Sequence, residues 1–267
     1  MRSNPAEALA PFVEVLWWSE NCEPSHPRER ALPTGAMTLV INLGDDPIRI
    51  FRDEEDQAGF SFRRSVVWGP QTRYAVRDST RKGAVVGVQF RPGMAGAVLG
   101  IAASELTDNF ASLEDLWGPR AETLSDRLLE AATPSEKIAA AQQILTPVHR
   151  PLLPHPAVAY ALRELAKPEA PVIADVRSRA GYGAKRFIEL FRAATGMTPK
   201  RYSRLRRFQN VLEQARRSGE KPDWARIAAE GGYTDQAHLT REFKTFSGIT
   251  PGAYRPVEPG RHHHVAM

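Results

Sequence analysis

Residues 8–92 are built from short apolar runs separated by turn residues. Met37 to Leu43 and Ala84 to Phe90 are two such runs. The punctuation is Pro33-Thr34-Gly35, Gly44-Asp45-Asp46-Pro47, Gly69-Pro70 and Pro92-Gly93. Arg49, Phe51, Arg52 and Phe60 fit strands on either side of a charged loop, Asp53 to Gln57. Runs of this length between such breakers read as strands. Many short strands with turns between them predict a small barrel or sandwich.

The period changes near Gly93. Met94, Val98 and Leu99 fall on one helical face. Leu106, Leu113, Leu116 and Trp117 follow on short helices, then Leu124, Leu128 and Leu129, then Ile138, Ile144 and Leu145. Pro147, Pro151, Pro154 and Pro156 interrupt any helix, which places a domain boundary there. Beyond it the pattern is helical to about Tyr254.

This last segment repeats itself. Gly181 to Tyr202 reads GYGAKRFIELFRAATGMTPKRY, and Gly232 to Tyr254 reads GYTDQAHLTREFKTFSGITPGAY. Phe191, Gly196, Pro199 and Tyr202 have the same spacing as Phe243, Gly248, Pro251 and Tyr254. Each copy has the order of a helix-turn-helix. A short apolar helix comes first (Val172, Ile173 and Val176; Trp224, Ile227 and Ala228). Gly181, or Gly231-Gly232, supplies a tight turn. A second helix follows, with Phe187, Leu190 and Phe191, or Leu239 and Phe243, facing inward. Thr234 with Asp235 offers an N-cap to the second of these helices. The Gly-x-x-Pro that closes each copy stops one helix and starts the next. Between the copies, Pro199 to Arg217 is one amphipathic helix with Tyr202, Leu205, Phe208, Val211, Leu212 and Ala215 on its apolar face.

Charge sharpens this picture. The formal net charge is +5 over 267 residues. Lys167 to Arg255 holds 18 basic and 9 acidic residues, and the remainder holds 18 basic and 22 acidic. A basic module on an acidic body suits a polyanionic partner. No run of eighteen apolar residues occurs, so no membrane span is expected. The N-terminus lacks the apolar core of a secretory signal, and the cytoplasm is the expected compartment. Cys22 is the single cysteine, which excludes an internal disulfide and a cysteine-based zinc site.

The repeat resembles the AraC/XylS family of bacterial transcription regulators over roughly Pro156 to Pro256. The Phe-x4-Gly-x2-Pro-x2-Tyr ending carries most of that likeness. LPTGAMTLVINLGD (Leu32 to Asp45) and Ala103 to Pro119 are weaker cues to the β-rich N-terminal domain found in part of that family. The resemblance implies an α+β chain. A small β-barrel-like (cupin-like) domain spans 1–92, with a helical extension and linker over 93–154. An all-α domain, with two helix-turn-helix units joined by a long linker helix, spans 155–256. A flexible tail, 257–267, ends the chain and includes His262 to His264.

The family's reading positions fall on Asp235, Gln236, Ala237, Thr240 and Arg241 in the second unit, and on Ala184, Lys185, Ile188 and Glu189 in the first. Gln pairs with adenine and Arg with guanine through two hydrogen bonds, Thr serves a base or a phosphate, and Glu accepts from cytosine. Lys200, Arg201 and Arg207 are candidate phosphate contacts. Arg177 stands where the family has a small residue, and Gly183 replaces its usual Ser cap. The first unit is therefore expected to supply mainly shape and phosphate contacts. If the units enter successive major grooves, they sit about 34 Å apart.

For the N-terminal domain the resemblance implies a small-molecule effector site or a homodimer interface, and RNA polymerase as a partner if the chain is an activator. Trp17, Met37, Trp68, Gln71 and Phe90 are candidates to line a pocket, with core filling as the alternative. His26 is the only histidine before residue 149, so a metal-dependent cupin enzyme is not expected, nor is any cofactor. Cys22 and His26 read as an exposed loop between prolines. The expected function is sequence-specific binding of double-stranded DNA without enzymatic activity. A non-specific architectural DNA binder and an enzyme housed in the N-terminal domain stay open as alternatives.

Overall fold

The computed structural model describes residues 1–21, 26–146, 151–167, 171–219, 222–258 and 261–267. Cys22 lies outside these residues. The strands are β1 (Arg2–Ser3), β2 (Val13–Asn21), β3 (Arg28–Ala31), β4 (Thr38–Asn42), β5 (Ile48–Phe51) and β6 (Phe60–Phe62), followed by β7 (Ser65–Trp68), β8 (Ala75–Asp78), β9 (Gly83–Phe90), β10 (Phe110–Ala111) and β11 (His264–Ala266). The two apolar runs seen in the sequence are β4 and β9, which pair antiparallel from Thr38↔Gln89 to Asn42↔Val85.

Two open sheets form, rather than a closed barrel. One has the order β1-β2-β9-β4-β7-β10 and the other β11-β3-β8-β5-β6. The first sheet is a middle layer. Leu39, Ile41, Val67, Val86, Val88 and Phe90 face the helical extension and pack with Leu124, Leu128 and Ile138. Val40, Val66 and Trp68 face the other way and meet Ile50, Phe60, Phe62 and Ala75 of the second sheet. Alternate residues of one strand therefore serve two cores. This is why Leu39, Val40 and Ile41 of β4 are apolar in succession: both faces of the strand are covered.

The extension comprises α1 (Gly96–Leu99), a 3₁₀ turn (Ala103–Leu106), α2 (Leu113–Trp117), α3 (Pro119–Glu130) and α4 (Pro134–Ile144). Expected to be helical, it also contributes strand β10, whose Phe110 pairs with Trp68 and seals the core between the sheets. Proline starts both α3 and α4, where a missing N–H costs nothing. Thr133 and Glu136 close a capping box on α4.

The C-terminal helices are α5 (Pro156–Leu165), α6 (Ile173–Arg179), α7 (Ala184–Thr195), α8 (Pro199–Arg217), α9 (Trp224–Glu230) and α10 (Gln236–Ser247). Helix α8 runs over the expected residues, and its apolar face is buried throughout. One cluster joins both helical pairs through it, with Phe187 and Phe191 from one side, Leu239, Phe243 and Phe246 from the other, and Phe208 between. Among the described residues no helix is long and apolar enough to cross a membrane.

The tail departs from expectation. It is not free: β11 pairs antiparallel with β3, and Val265 is buried. A three-residue strand with alternating polar and apolar positions leaves too little pattern to be seen in the sequence.

Phe208 is fully buried, with its ring 5.2 Å from that of Phe243 and 5.1 Å from that of Phe246. Phe208→Ala is expected to destabilise the fold by about 3–5 kcal/mol in denaturant unfolding.

Candidate nucleic-acid interface

The second helical pair, α9 and α10, is held rigidly. Asp223 caps α9 by accepting from the amides of Ala225 and Arg226, each at 3.1 Å. Asp235 caps α10 by accepting from the His238 amide at 2.6 Å. Leu239, Phe243 and Phe246 bury the inner face of α10. Glu242, 5% exposed, is paired with Arg204 of α8 and ties the helix to the linker. Arg204 and Glu242 are 38 residues apart, so no local spacing announces the pair. It is a positioning contact that the sequence did not reveal.

Gln236, Ala237 and Arg241 are left exposed on the outer face of α10, and Asp235 is exposed at its start. Thr240 is partly exposed, and its hydroxyl donates to the Gln236 carbonyl at 2.9 Å. Glu242 and Asp235, the neighbours able to neutralise Arg241, are both engaged elsewhere. Among the described residues Arg241 makes no ion pair, so its guanidinium is available to a base edge or phosphate.

The first unit is prepared differently. Gly183 precedes α7 without any side-chain cap. Lys185, Ile188 and Glu189 are exposed, and Glu189 lies 3.5 Å from Arg186, a surface pair of small energetic weight. An apolar Ile and a paired Glu make this face poorer in hydrogen-bonding groups than that of α10.

The three candidate phosphate contacts separate. Lys200 is exposed. Arg207 stacks 5.3 Å over the Tyr233 ring and donates to the Gly232 carbonyl at 3.3 Å, at the turn between α9 and α10. Arg201 is not available in this arrangement. It points into the N-terminal domain and donates to the Thr72 carbonyl at 2.8 Å. The correction follows from its place in the first turn of α8, on the side that faces residues 69–74.

The N-terminal domain meets both units at equivalent positions of the repeat. Gly196 ends α7 and Gly248 ends α10, both with positive φ. Thr107 donates to the Gly196 carbonyl at 3.1 Å, and a Cβ on Gly196 would fall 2.5 Å from the Thr107 hydroxyl. The Tyr74 amide donates to the Phe246 carbonyl at 2.8 Å, and a Cβ on Gly248 would fall 2.5 Å from the Tyr74 ring. Burial, then the Glu54 carboxylate that accepts its proton, push the Tyr74 phenol up to about 12, so it remains a donor. The outer faces of α7 and α10 lie clear of these contacts.

The proposed pocket-lining residues do not converge. Met37 and Phe90 are buried against the helical extension, and Trp68 lies in the opposite core, 4.9 Å from the Phe110 ring. Trp17 pairs across from Gly87 on β9. Gln71 donates to the Gly69 carbonyl at 3.0 Å in a loop. Met37 and Phe90 share one core, Trp68 lies in the other and Gln71 is in a loop, so the five do not line one cavity. A cleft of about 120 Å³ lies elsewhere, between α1, residues 152–155 and the Leu190–Ala194 side of α7. Among the described residues no three His, Cys, Asp or Glu side chains gather as a metal site.

Two separate family models match the chain. Residues 158–256 match a helix-turn-helix domain, which covers both capped pairs and α8. Residues 158–256 are an AraC-type helix-turn-helix domain. Residues 158–256 therefore form a DNA-binding domain of that kind. Residues 1–112 match a domain of unknown function (DUF6597). The Tn10 TetD protein of Escherichia coli is 35% identical over 81 residues, which is 30% of this chain and 57% of that protein. The chain thus spans little more than half of that relative. Among solved structures, ToxT from Vibrio cholerae superposes with a TM-score of 0.47 at 10% identity, covering 90% of this chain and 97% of the other. ToxT bound to an unsaturated fatty acid gives a TM-score of 0.47 at 8% identity, covering 90% and 94%.

The glycine turns of the AraC-type domain give a direct test of docking. Gly232 has positive φ but open space around it, so Gly232→Ala is expected to cost only backbone strain, roughly 1–2 kcal/mol. Gly248→Ala adds the collision with Tyr74 and is expected to cost more. Tyr74→Ala in that background removes the excess, which a double-mutant cycle in denaturant reads.

Proposed function

We propose that the chain is a one-component regulator that reads a specific promoter sequence, chiefly through Gln236, Thr240 and Arg241. The observation that carries this reading is α10 itself. It is a capped helix with a buried inner face and an unpaired arginine and glutamine on its outer face. Two hydrogen bonds from Arg to guanine, or from Gln to adenine, discriminate a base by about 1–3 kcal/mol. In this reading Lys200 and the other exposed basic residues of the domain supply affinity through phosphates, without sequence information. Asp235 orders the start of α10, and Ala237 leaves room for a thymine methyl. The uncapped start of α7, Ile188 and Glu189 favour a lesser role for the first unit, in which Lys185 contacts the backbone and shape is read rather than bases.

The same proposal includes modulation through the N-terminal domain. Its contacts at both Gly196 and Gly248 support this, because loop 103–109 meets the first unit and loop 69–74 the second. The effector is a small molecule or a second copy of the chain, with RNA polymerase a further partner if the chain activates. The role is binding without covalent chemistry, in the cytoplasm.

Fluorescence anisotropy at fixed salt tests this on duplexes selected from a random library and on scrambled duplexes. Wild type is expected to prefer selected sites by about a thousandfold or more. Arg241→Ala is expected to lose about 1–3 kcal/mol on selected sites and little on scrambled ones. Equal binding of all duplexes by both proteins would replace sequence reading with architectural binding.

A further inference from the structure

We propose that the edge of β3 is a docking site for the chain's own C-terminal segment, and that β11 seated there is a releasable lock between the DNA-binding domain and the N-terminal sheet. The segment lies outside both matched regions, 1–112 and 158–256. The inference therefore goes beyond what the domain family implies, and it does not depend on which bases are read.

Backbone pairing defines the site. His264, Val265 and Ala266 lie opposite Ala31, Arg30 and Glu29. The ladder continues at both ends, because the Leu32 amide donates to the His263 carbonyl at 2.7 Å and the Met267 amide to the Arg28 carbonyl at 3.0 Å. On its other side the segment folds back on the end of the DNA-binding domain. The Val257 amide donates to the His264 carbonyl at 2.9 Å, and the Tyr254 hydroxyl to the His262 carbonyl at 2.6 Å. The segment from His262 to Ala266 is thus bonded to β3 on one side and to Tyr254 and Pro256 on the other.

Side chains make the pairing selective. Val265 is 3% exposed and belongs, with Leu32, to the same apolar cluster as α8 and α10. Glu29 on β3 is 1% exposed. It accepts from Arg77 of β8 and from Arg261 at 2.8 Å, and His264 Nδ1 lies 2.8 Å away. These groups hold the Glu29 carboxyl well below the usual carboxylate range, against the opposing effect of its burial. Arg261 and His264 come from the C-terminal segment, so undocking removes one cation and one imidazole from that carboxylate and leaves it with Arg77 and His26. Gln209 of α8 completes the junction, donating to the Pro33 carbonyl while its oxygen meets the His263 ring.

The lock is short. Three paired residues at a sheet edge open more readily than the central strands β4 and β9, as edge segments with few buried contacts do. With β11 seated, the second sheet and α8 move as one body. With β11 released, the domains keep the contacts at Gly196 and Gly248 and the bonds from Arg201 to Thr72 and from Gln209 to Pro33, but lose the strand that ties them.

Amide hydrogen exchange of the full chain, without DNA, tests this. In wild type the Leu32 and Met267 amides are expected to be protected. Val265→Lys places a charge in the buried position and is expected to speed their exchange about tenfold or more. The Tyr74 amide, which bonds the Phe246 carbonyl across the domain boundary, is expected to lose protection with them, while β4 and β9 are unchanged. Free-peptide exchange of Leu32 and Met267 in wild type would overturn the docking site. Loss of their protection with Tyr74 unmoved would overturn the lock. If Val265→Lys also exposes β4 and β9, the milder Val265→Ser supplies the same comparison.

Discussion

The buried face of α8 is the constraint on which the DNA-binding domain depends. Two helix-turn-helix units of this size cannot each enclose a core, because α6 and α9 have only seven residues apiece. Both therefore lean on one helix. Tyr202 meets the Phe191 ring of the first unit and Phe208 the Phe243 and Phe246 rings of the second, in one continuous cluster with Leu205 and Leu212. Because interiors are close-packed, the two outer faces are held at a set separation and orientation. The helix is about 28 Å long at 1.5 Å per residue, comparable with one turn of duplex DNA.

Polar contacts refine this arrangement. Arg204–Glu242 fixes α10 against α8, and its burial makes it costly to break. Thr198 caps α8 by accepting from the Arg201 amide at 3.3 Å, and Asp235 caps α10. The same helix that carries the units also carries Arg201 and Gln209, which reach the N-terminal domain. One element thus carries both helix pairs on one side and meets the N-terminal domain on the other.

The helical half of the fold was legible in the sequence because its signals are local. Period 3.6 in Tyr202, Leu205, Phe208 and Leu212, and a Gly-x-x-Pro at each stop, define elements without knowledge of their partners. The buried and exposed faces of α10 were legible for the same reason, whereas the reading positions on it come from the family resemblance. The β half was legible only as strands. Whether β4 and β7 close a barrel or lie between two layers depends on what covers each face, and a run such as Thr38–Asn42 looks alike in both cases. Trp68 and Phe90 are alike in residue type, but they face opposite sides of the middle sheet and so enter different cores. Arg201 was placed by its charge, while its direction on α8 turns it toward Thr72. Strand β11, the Glu29 cluster and the Arg204–Glu242 pair depend on residues far apart in the chain, and no spacing rule reaches that far.

The central claim is that one helix presents two units to one face of DNA. Hydroxyl-radical footprinting of the full chain on a duplex that it binds tests this most directly. The account predicts two protected patches centred about 10 base pairs apart on the same face of the duplex. A single patch, or two on opposite faces, would contradict it.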